Sequence, residues 1–345
     1  MADLRPSDID DLILATLPEY DRMKFGQIAQ VYQDYEVMGR IMQKEKRSVE
    51  GGDQIDRFLL TDLTGNAKNV GLFEEDGVNV GKHMNTITVP WRFSQTAWGY
   101  DVKERQLNRG KPQLFDEIVA REKGAYIDLA NLMEDDFWGR LAATADTKKI
   151  FGIDYWVNKN SATAGFNGTD PTGFTGGAGG LTVASVPTWA NYSAEYTNVT
   201  KPDLIQSWRV ASRKTNYKSP VQISDYRRGG RSRYSYYCNI DTITELENVG
   251  ESQNDNLGRD IASMDGQILF HGNPVKWIAA LDSDAKDPLY GVDWSCFECA
   301  IQSGSYMRRK IVESSLAHDM RSVFIDLTWN TLCTDRRAQF VIEKA

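Results

Sequence analysis

Ile87-Thr88-Val89-Pro90-Trp91-Arg92-Phe93 sets an apolar side chain at every second position, the period of a strand with one apolar face. Pro90 has no amide hydrogen to give to a ladder, which places this strand at an edge or turns the position outward. Upstream, Gly51-Gly52, Gly65-Asn66, Asp76-Gly77 and Gly81 punctuate a second extended segment around Arg57-Phe58-Leu59-Leu60. The reading is a long two-stranded excursion with an acidic, Gly-containing tip at Phe73-Glu74-Glu75-Asp76-Gly77. Such a ribbon is barely stable alone in water, so its apolar residues call for a covering surface, and a partner subunit is the natural one.

Working outward, residues 1–50 are polar, with interspersed charges and no sustained apolar period, and read as a leading arm. Pro112 suits a first helical position, and behind it Leu114, Phe115, Ile118, Val119, Ala125, Tyr126, Leu129, Leu132, Met133 and Phe137 recur at helical steps. A helix from Pro112 to about Ala145 would run on the order of 50 Å, with Gly124 and Gly139 inside it. Its heptad is not sustained, which favours a structural spine over a coiled coil. Residues 150–200 read as loops around short strands, with Gly173 to Gly180 a flexible loop. Thr200-Lys201-Pro202-Asp203 has the pattern of a capping box opening a helix through about Lys214. Tyr234–Cys238 reads as a strand leading to a helix capped by Asp241 and ending at Gly250. Ile268-Leu269-Phe270, a turn at His271-Gly272-Asn273-Pro274, and Val275–Ile278 form a hairpin. Residues 322–342 are strand-like.

Composition removes several functions. With 40 basic and 48 acidic side chains the net charge is −8, which disfavours sequence-specific DNA binding. No apolar run approaches a membrane span, and Met1-Ala2-Asp3-Leu4-Arg5-Pro6 lacks a signal peptide's apolar stretch, so the expectation is a soluble, non-secreted chain with free thiols. His83, His271 and His318 are the only histidines and none has a ligand partner at short helical spacing. No catalytic, cofactor or metal set emerges. Cys296-Phe297-Glu298-Cys299 has the spacing of a thiol pair, but Cys238 and Cys333 are isolated, so the four ligands of a structural zinc site are missing. Glu134-Asp135-Asp136 reads as a solvated helix face. Arg227-Arg228-Gly229-Gly230-Arg231-Ser232-Arg233, flanked by Tyr226 and Tyr234, is read as an intersubunit ion-pair loop, with phosphate binding as its rival.

The order of these elements resembles the major capsid proteins of tailed phages, an α+β fold of the Hong Kong 97 type. The polar arm, the ribbon ending in Thr88-Val89-Pro90-Trp91 and Asp101-Val102-Lys103-Glu104-Arg105, the helix from Pro112, the Phe270-His271-Gly272-Asn273-Pro274-Val275 hairpin and the closing Cys333-Thr334-Asp335-Arg336-Arg337-Ala338-Gln339 carry the resemblance. It implies an N-terminal arm (1–50), an extended β-hairpin loop (51–105), a peripheral domain with a long spine helix (106–150 and 306–345) and an axial domain (151–305). It also implies a non-enzymatic subunit, assembled in the host cytoplasm into pentamers and hexamers of an icosahedral virion head. That head would hold double-stranded DNA non-specifically, with portal, scaffolding and cement proteins as partners and no membrane. Phe73, Trp91 and Phe93 on the ribbon and Arg227, Arg228, Arg231 and Arg233 are the expected assembly contacts. Some members of the family join subunits through a loop lysine and an asparagine; Lys68 and Lys82 lie in the right region, but the sequence identifies no asparagine. The alternatives are an encapsulin-type nanocompartment shell of the same fold and a cytosolic redox enzyme using Cys296 and Cys299.

Overall fold

The computed structural model describes residues 35–42, 47–72, 77–101, 117–140, 148–160, 163–216, 234–251, 268–313 and 320–345. Their elements are α1 (Glu36–Met42), β1 (Arg47–Val49), β2 (Gln54–Leu60), β3 (Met84–Pro90), β4 (Arg92–Asp101), α2 (Glu117–Trp138), α3 (Ile153–Trp156), β5 (Gly165–Phe166), β6 (Tyr192–Tyr196), α4 (Gln206–Thr215), β7 (Tyr234–Cys238), α5 (Ile240–Glu251), β8 (Leu269–Phe270), β9 (Asn273–Trp277), β10 (Leu289–Asp293), β11 (Phe297–Gln302), β12 (Arg308–Glu313), β13 (Met320–Cys333) and β14 (Phe340–Lys344). The expected α+β class is what the chain adopts. The leading residues 1–34, the ribbon tip at 73–76 and the arginine loop at 227–233 lie outside the described residues.

Two compact units divide the chain. One takes residues 93–133 and 304–327. In it β12 pairs antiparallel with the first half of β13, from Arg308↔Asp326 to Glu313↔Arg321. Ala125, Leu129, Ala130 and Met133 of α2 are buried, at helical steps. Glu122 pairs with Arg309, and Arg121 donates to the Gly99 carbonyl at 3.3 Å.

The other unit takes residues 33–92, 134–303 and 328–345. Its main sheet has the order β5-β6-β14-β10-β7-β9-β8. Strand β7 shows why patterning reads this way: all five of its residues, Tyr234 to Cys238, are buried, as a central strand covered on both faces requires. Trp208 and Ala211 of α4 pack over Tyr192, Tyr236 and Phe340 of the sheet. A second set of strands joins β1, parallel, to β11 and β11, antiparallel, to the latter half of β13.

Several local expectations change. Helix α2 ends at Trp138, not near 145: Gly139 turns out of it, and its N–H still reaches the Asp135 carbonyl at 2.9 Å. Leu132 is exposed on it. The acid of the supposed capping box does not cap α4. Asp203 instead accepts from the Thr197 and Asn198 amides at 2.8 and 2.9 Å, and a single π-turn at Lys201–Ile205 leads into the helix. Asn239, not Asp241, caps α5, accepting from Thr242 N at 3.1 Å. The glycine run, expected to be a flexible loop, is packed at residues 177–179, while Gly173, Gly176 and Gly180 are exposed. Gly177 has φ 77°, and a Cβ there would come within 2.1 Å of the Leu181 carbonyl oxygen. Nearby, Trp189 Nε1 donates to Ala178 O and Tyr155 Oη accepts from Gly179 N.

Two buried charged groups hold this unit together. Arg336 is fully buried. Its Nε donates to Trp156 O at 2.6 Å and its Nη2 to Thr169 O at 2.8 Å and Asn191 Oδ1 at 3.2 Å, and burial holds its pKa down to about 10, so it stays cationic at neutral pH. Glu134 is the larger surprise. Expected on a solvated face, it is 1% exposed. Its Oε1 accepts from Val37 N (2.7 Å) and Met38 N (3.0 Å), and Oε2 from Trp138 Nε1 (2.9 Å), so one carboxyl ties α1 to the end of α2.

Burial outweighs these hydrogen bonds and, with Glu36 nearby, raises the Glu134 pKa from 4.5 to about 7. The folded chain therefore binds this proton more tightly than the unfolded chain. The stability this contributes is full below pH 4.5 and is lost as pH rises through 7. Raising the pH from 5 to 8 should cost on the order of 2–3 kcal/mol from this group. Denaturant unfolding at both pH values should show that difference shrink in Glu134→Gln; an unchanged pH dependence would contradict it.

Candidate functional site: the projecting ribbon

Strands β2 and β3 pair antiparallel from Gln54↔Pro90 to Leu60↔Met84. Alternation then divides the ribbon's faces. On one, Ile55, Ile87 and Val89 are buried at the root, where Gly179 sits against Ile87 and its carbonyl accepts from Thr88 N at 2.9 Å. On the other, Thr88 Oγ1 donates to Asp56 Oδ1 at 2.8 Å, followed outward by exposed Phe58 and Leu60. The packed glycine run is thus the platform on which the ribbon is mounted.

Beyond Leu60 and Met84 the regular ladder stops. Thr61 N donates to His83 O at 2.9 Å. Farther out, the Asn66 side chain replaces the backbone ladder: Nδ2 donates to Asn79 O at 2.9 Å and Oδ1 accepts from Asn79 N at 2.8 Å. An asparagine amide carries the same donor and acceptor as a peptide group, so it can close such a pair where the backbones diverge.

This outer part displays apolar side chains to solvent. Leu63, Leu72, Val78 and Val80 are 85, 93, 78 and 88% exposed, and Phe58 is 72%. Fully covering one such side chain is worth roughly 1.5–3 kcal/mol, so these five represent on the order of 10 kcal/mol before any association cost.

Solved structures of similar fold are found. The fold matches the cyanophage A-1(L) capsid asymmetric unit (TM-score 0.62, 14% identity, 93% of this chain and 96% of that one). It also matches the capsid of a native GTA particle (TM-score 0.58, 11% identity, 94% and 95%) and the capsid of Myoviridae phage XM1 (TM-score 0.52, 8% identity, 94% and 97%). This chain has the Hong Kong 97-type capsid fold. No family model matches its sequence, and neither does any curated protein.

Within that capsid fold the residues singled out from sequence fall in different places. Phe93 is 74% exposed, but Trp91 is buried and its Nε1 donates to Gly52 O at 3.0 Å. The alternation that put both on one face breaks at Trp91, which lies between β3 and β4; past it Ser94 is the buried residue and Phe93 the outward one. Phe73, Arg227, Arg228, Arg231 and Arg233 lie outside the described residues. Cys296 and Cys299 are buried and in no disulfide, Cys299 opposite Thr331 in a ladder and Cys296 in the turn before β11. Neither stands at a helix start, where a reactive thiol is lowered in pKa. Among the described residues no cluster of His, Cys, Asp or Glu could hold a metal, and no helix is long and apolar enough to cross a membrane. Sequence reading missed Leu63, Leu72, Val78 and Val80, whose spacing follows neither strand nor helix period, and the Asn66 bridge, which Gly65-Asn66 disguised as an ordinary turn.

Asn66→Ala should free both Asn79 backbone groups without disturbing the buried root. Hydrogen exchange at residues 61–83 should quicken by about fivefold, the loss of roughly 1 kcal/mol of local hydrogen bonding, while β7 and β10 amides keep their protection. Equal loosening of both regions would show that the bridge is not local.

Proposed function

We propose that this chain is a major capsid protein whose copies form pentamers and hexamers and close an icosahedral shell around phage double-stranded DNA. The observation that carries the reading is the ribbon: its root is buried in its own chain, while its outer apolar side chains are exposed on a fold otherwise found in phage and GTA capsids. In this reading residues 51–105 form the extended loop lying on a neighbouring subunit, with Phe73 and Phe93 among the contacts. Residues 1–50 are the arm, 106–150 and 306–345 the peripheral domain and 151–305 the axial domain, whose Arg227 to Arg233 loop meets acidic surface on a neighbour. The role is structural, without catalysis. Assembly takes place in the host cytoplasm, with portal, scaffolding and cement proteins as partners, and the mature protein resides in the virion.

Energetics support a subunit built for many weak contacts. The roughly 10 kcal/mol of available apolar burial is of the size of the 4–15 kcal/mol that association costs. One ribbon contact alone is therefore weak, and ring and shell closure multiply it.

Electron microscopy of the overexpressed chain should show closed shells. Deleting residues 66–80 should leave soluble subunits, with the protection of the β7–β10 sheet intact, that sediment as monomers or small rings. Normal shells from that deletion would overturn the reading, and shells of the intact chain filled with protein cargo would select the nanocompartment instead.

A further inference from the structure

The β8–β9 hairpin turns through two left-handed residues, His271 at φ 51° and Gly272 at φ 79°. That is the pattern of a primed two-residue turn, which Asn-Gly satisfies most easily. A histidine in the first position carries backbone strain, and such strain concentrates where a side chain has a task. Here it fixes the ring. Nδ1 lies 3.2 Å from Ser212 Oγ, which is itself 2.8 Å from Tyr236 Oη. The ring stacks on Phe270 at 4.4 Å, and Phe270 on Trp208 at 3.8 Å. With Nδ1 engaged, Nε2 is the nitrogen left for a ligand.

Ser212 belongs to α4, and Arg209 and Arg213 stand on either side of it, one helical turn apart on the same face. Both are exposed, and neither guanidinium has an ion-pair or hydrogen-bond partner among the described residues. Burial and then the charges of Arg213 and Arg209 hold His271 below its ordinary pKa, so both cations act on the ring. Two unpaired guanidiniums beside a pinned imidazole, in a chain of net charge −8, form a concentration of donors without a resident acceptor.

We propose that Arg209, Arg213 and His271 form a binding site for a phosphate group. The guanidiniums supply planar charge-assisted donors, and Nε2 of the ring supplies a further one when protonated. The site lies within one compact unit and stands whether or not the subunits close a shell. A nucleic-acid backbone and free inorganic phosphate present the same oxyanion.

Equilibrium dialysis of the full chain against labelled inorganic phosphate, with chloride fixing the ionic strength, tests this directly, since so small a probe reaches the site in any assembly state. Binding should saturate, and R209Q/R213Q should weaken it by about tenfold or more. His271→Asn keeps a residue suited to the left-handed turn and should weaken binding several-fold with the melting temperature unchanged. The pair R308Q/R309Q, on β12, should leave binding as it is. Uptake that does not saturate, or an equal loss from the β12 pair, would overturn the site by reducing it to general surface charge. A thymidylate tetranucleotide that displaces phosphate would name nucleic acid as the source; failure to displace it would leave free phosphate as the ligand of the same site.

Discussion

A two-stranded ribbon has only so many places to put its apolar side chains, and this limit shapes the molecule. Near the body, one face of β2 and β3 finds burial through Ile55, Ile87 and Val89 against the packed glycine run. Farther out none of the described residues covers Phe58, Leu63, Leu72, Val78 or Val80. The hydrophobic effect is proportional to area removed from water, so the outer ribbon holds stabilisation that the isolated subunit does not realise. The proposed shell is the arrangement in which it would.

Two buried ionisable groups of the body are tied to the backbone around them. Arg336 joins the carbonyls of Trp156 and Thr169 and the side chain of Asn191 from the centre of their loops. Glu134 joins α1 to the end of α2 through three hydrogen bonds. A buried charge that lost these partners would be costly, so both groups define a single arrangement as well as stabilise it. They differ in how they respond to acid. The arginine keeps its charge through the neutral range, whereas the carboxyl gains a proton near neutrality and its neighbourhood is then easier to hold.

Much of this architecture was legible in the residues. Strand β7 was read to its ends because a run of Tyr, Ser and Cys buried on both faces has no competing period. The hairpin was read because His271-Gly272 marks a turn between β-branched and aromatic runs, although Asn273 and Pro274 proved to belong to the strand. The misreadings share a cause: the residue's local pattern was overruled by something distant in sequence. Glu134 reads as solvent-facing until α1, almost a hundred residues earlier, offers two backbone amides. Asp203 fits a capping box until the Thr197–Asn198 turn takes its carboxylate. The glycine run reads as mobile until Trp189, Tyr155 and the ribbon root close around it. Of the ribbon contacts expected from sequence, Phe93 is exposed and Trp91 is committed to its own Gly52. The period-two rule does not show where a strand breaks.

Strand β14, later in the chain than any other, lies inside the seven-stranded sheet, between β6 and β10. Until residues 340–344 have been synthesised, the sheet exists only as two fragments with open inner edges. A chain still on the ribosome thus has an unfinished sheet, although the ribbon itself emerged long before. The compact unit that holds the ribbon's root is therefore complete only once its final strand has been made.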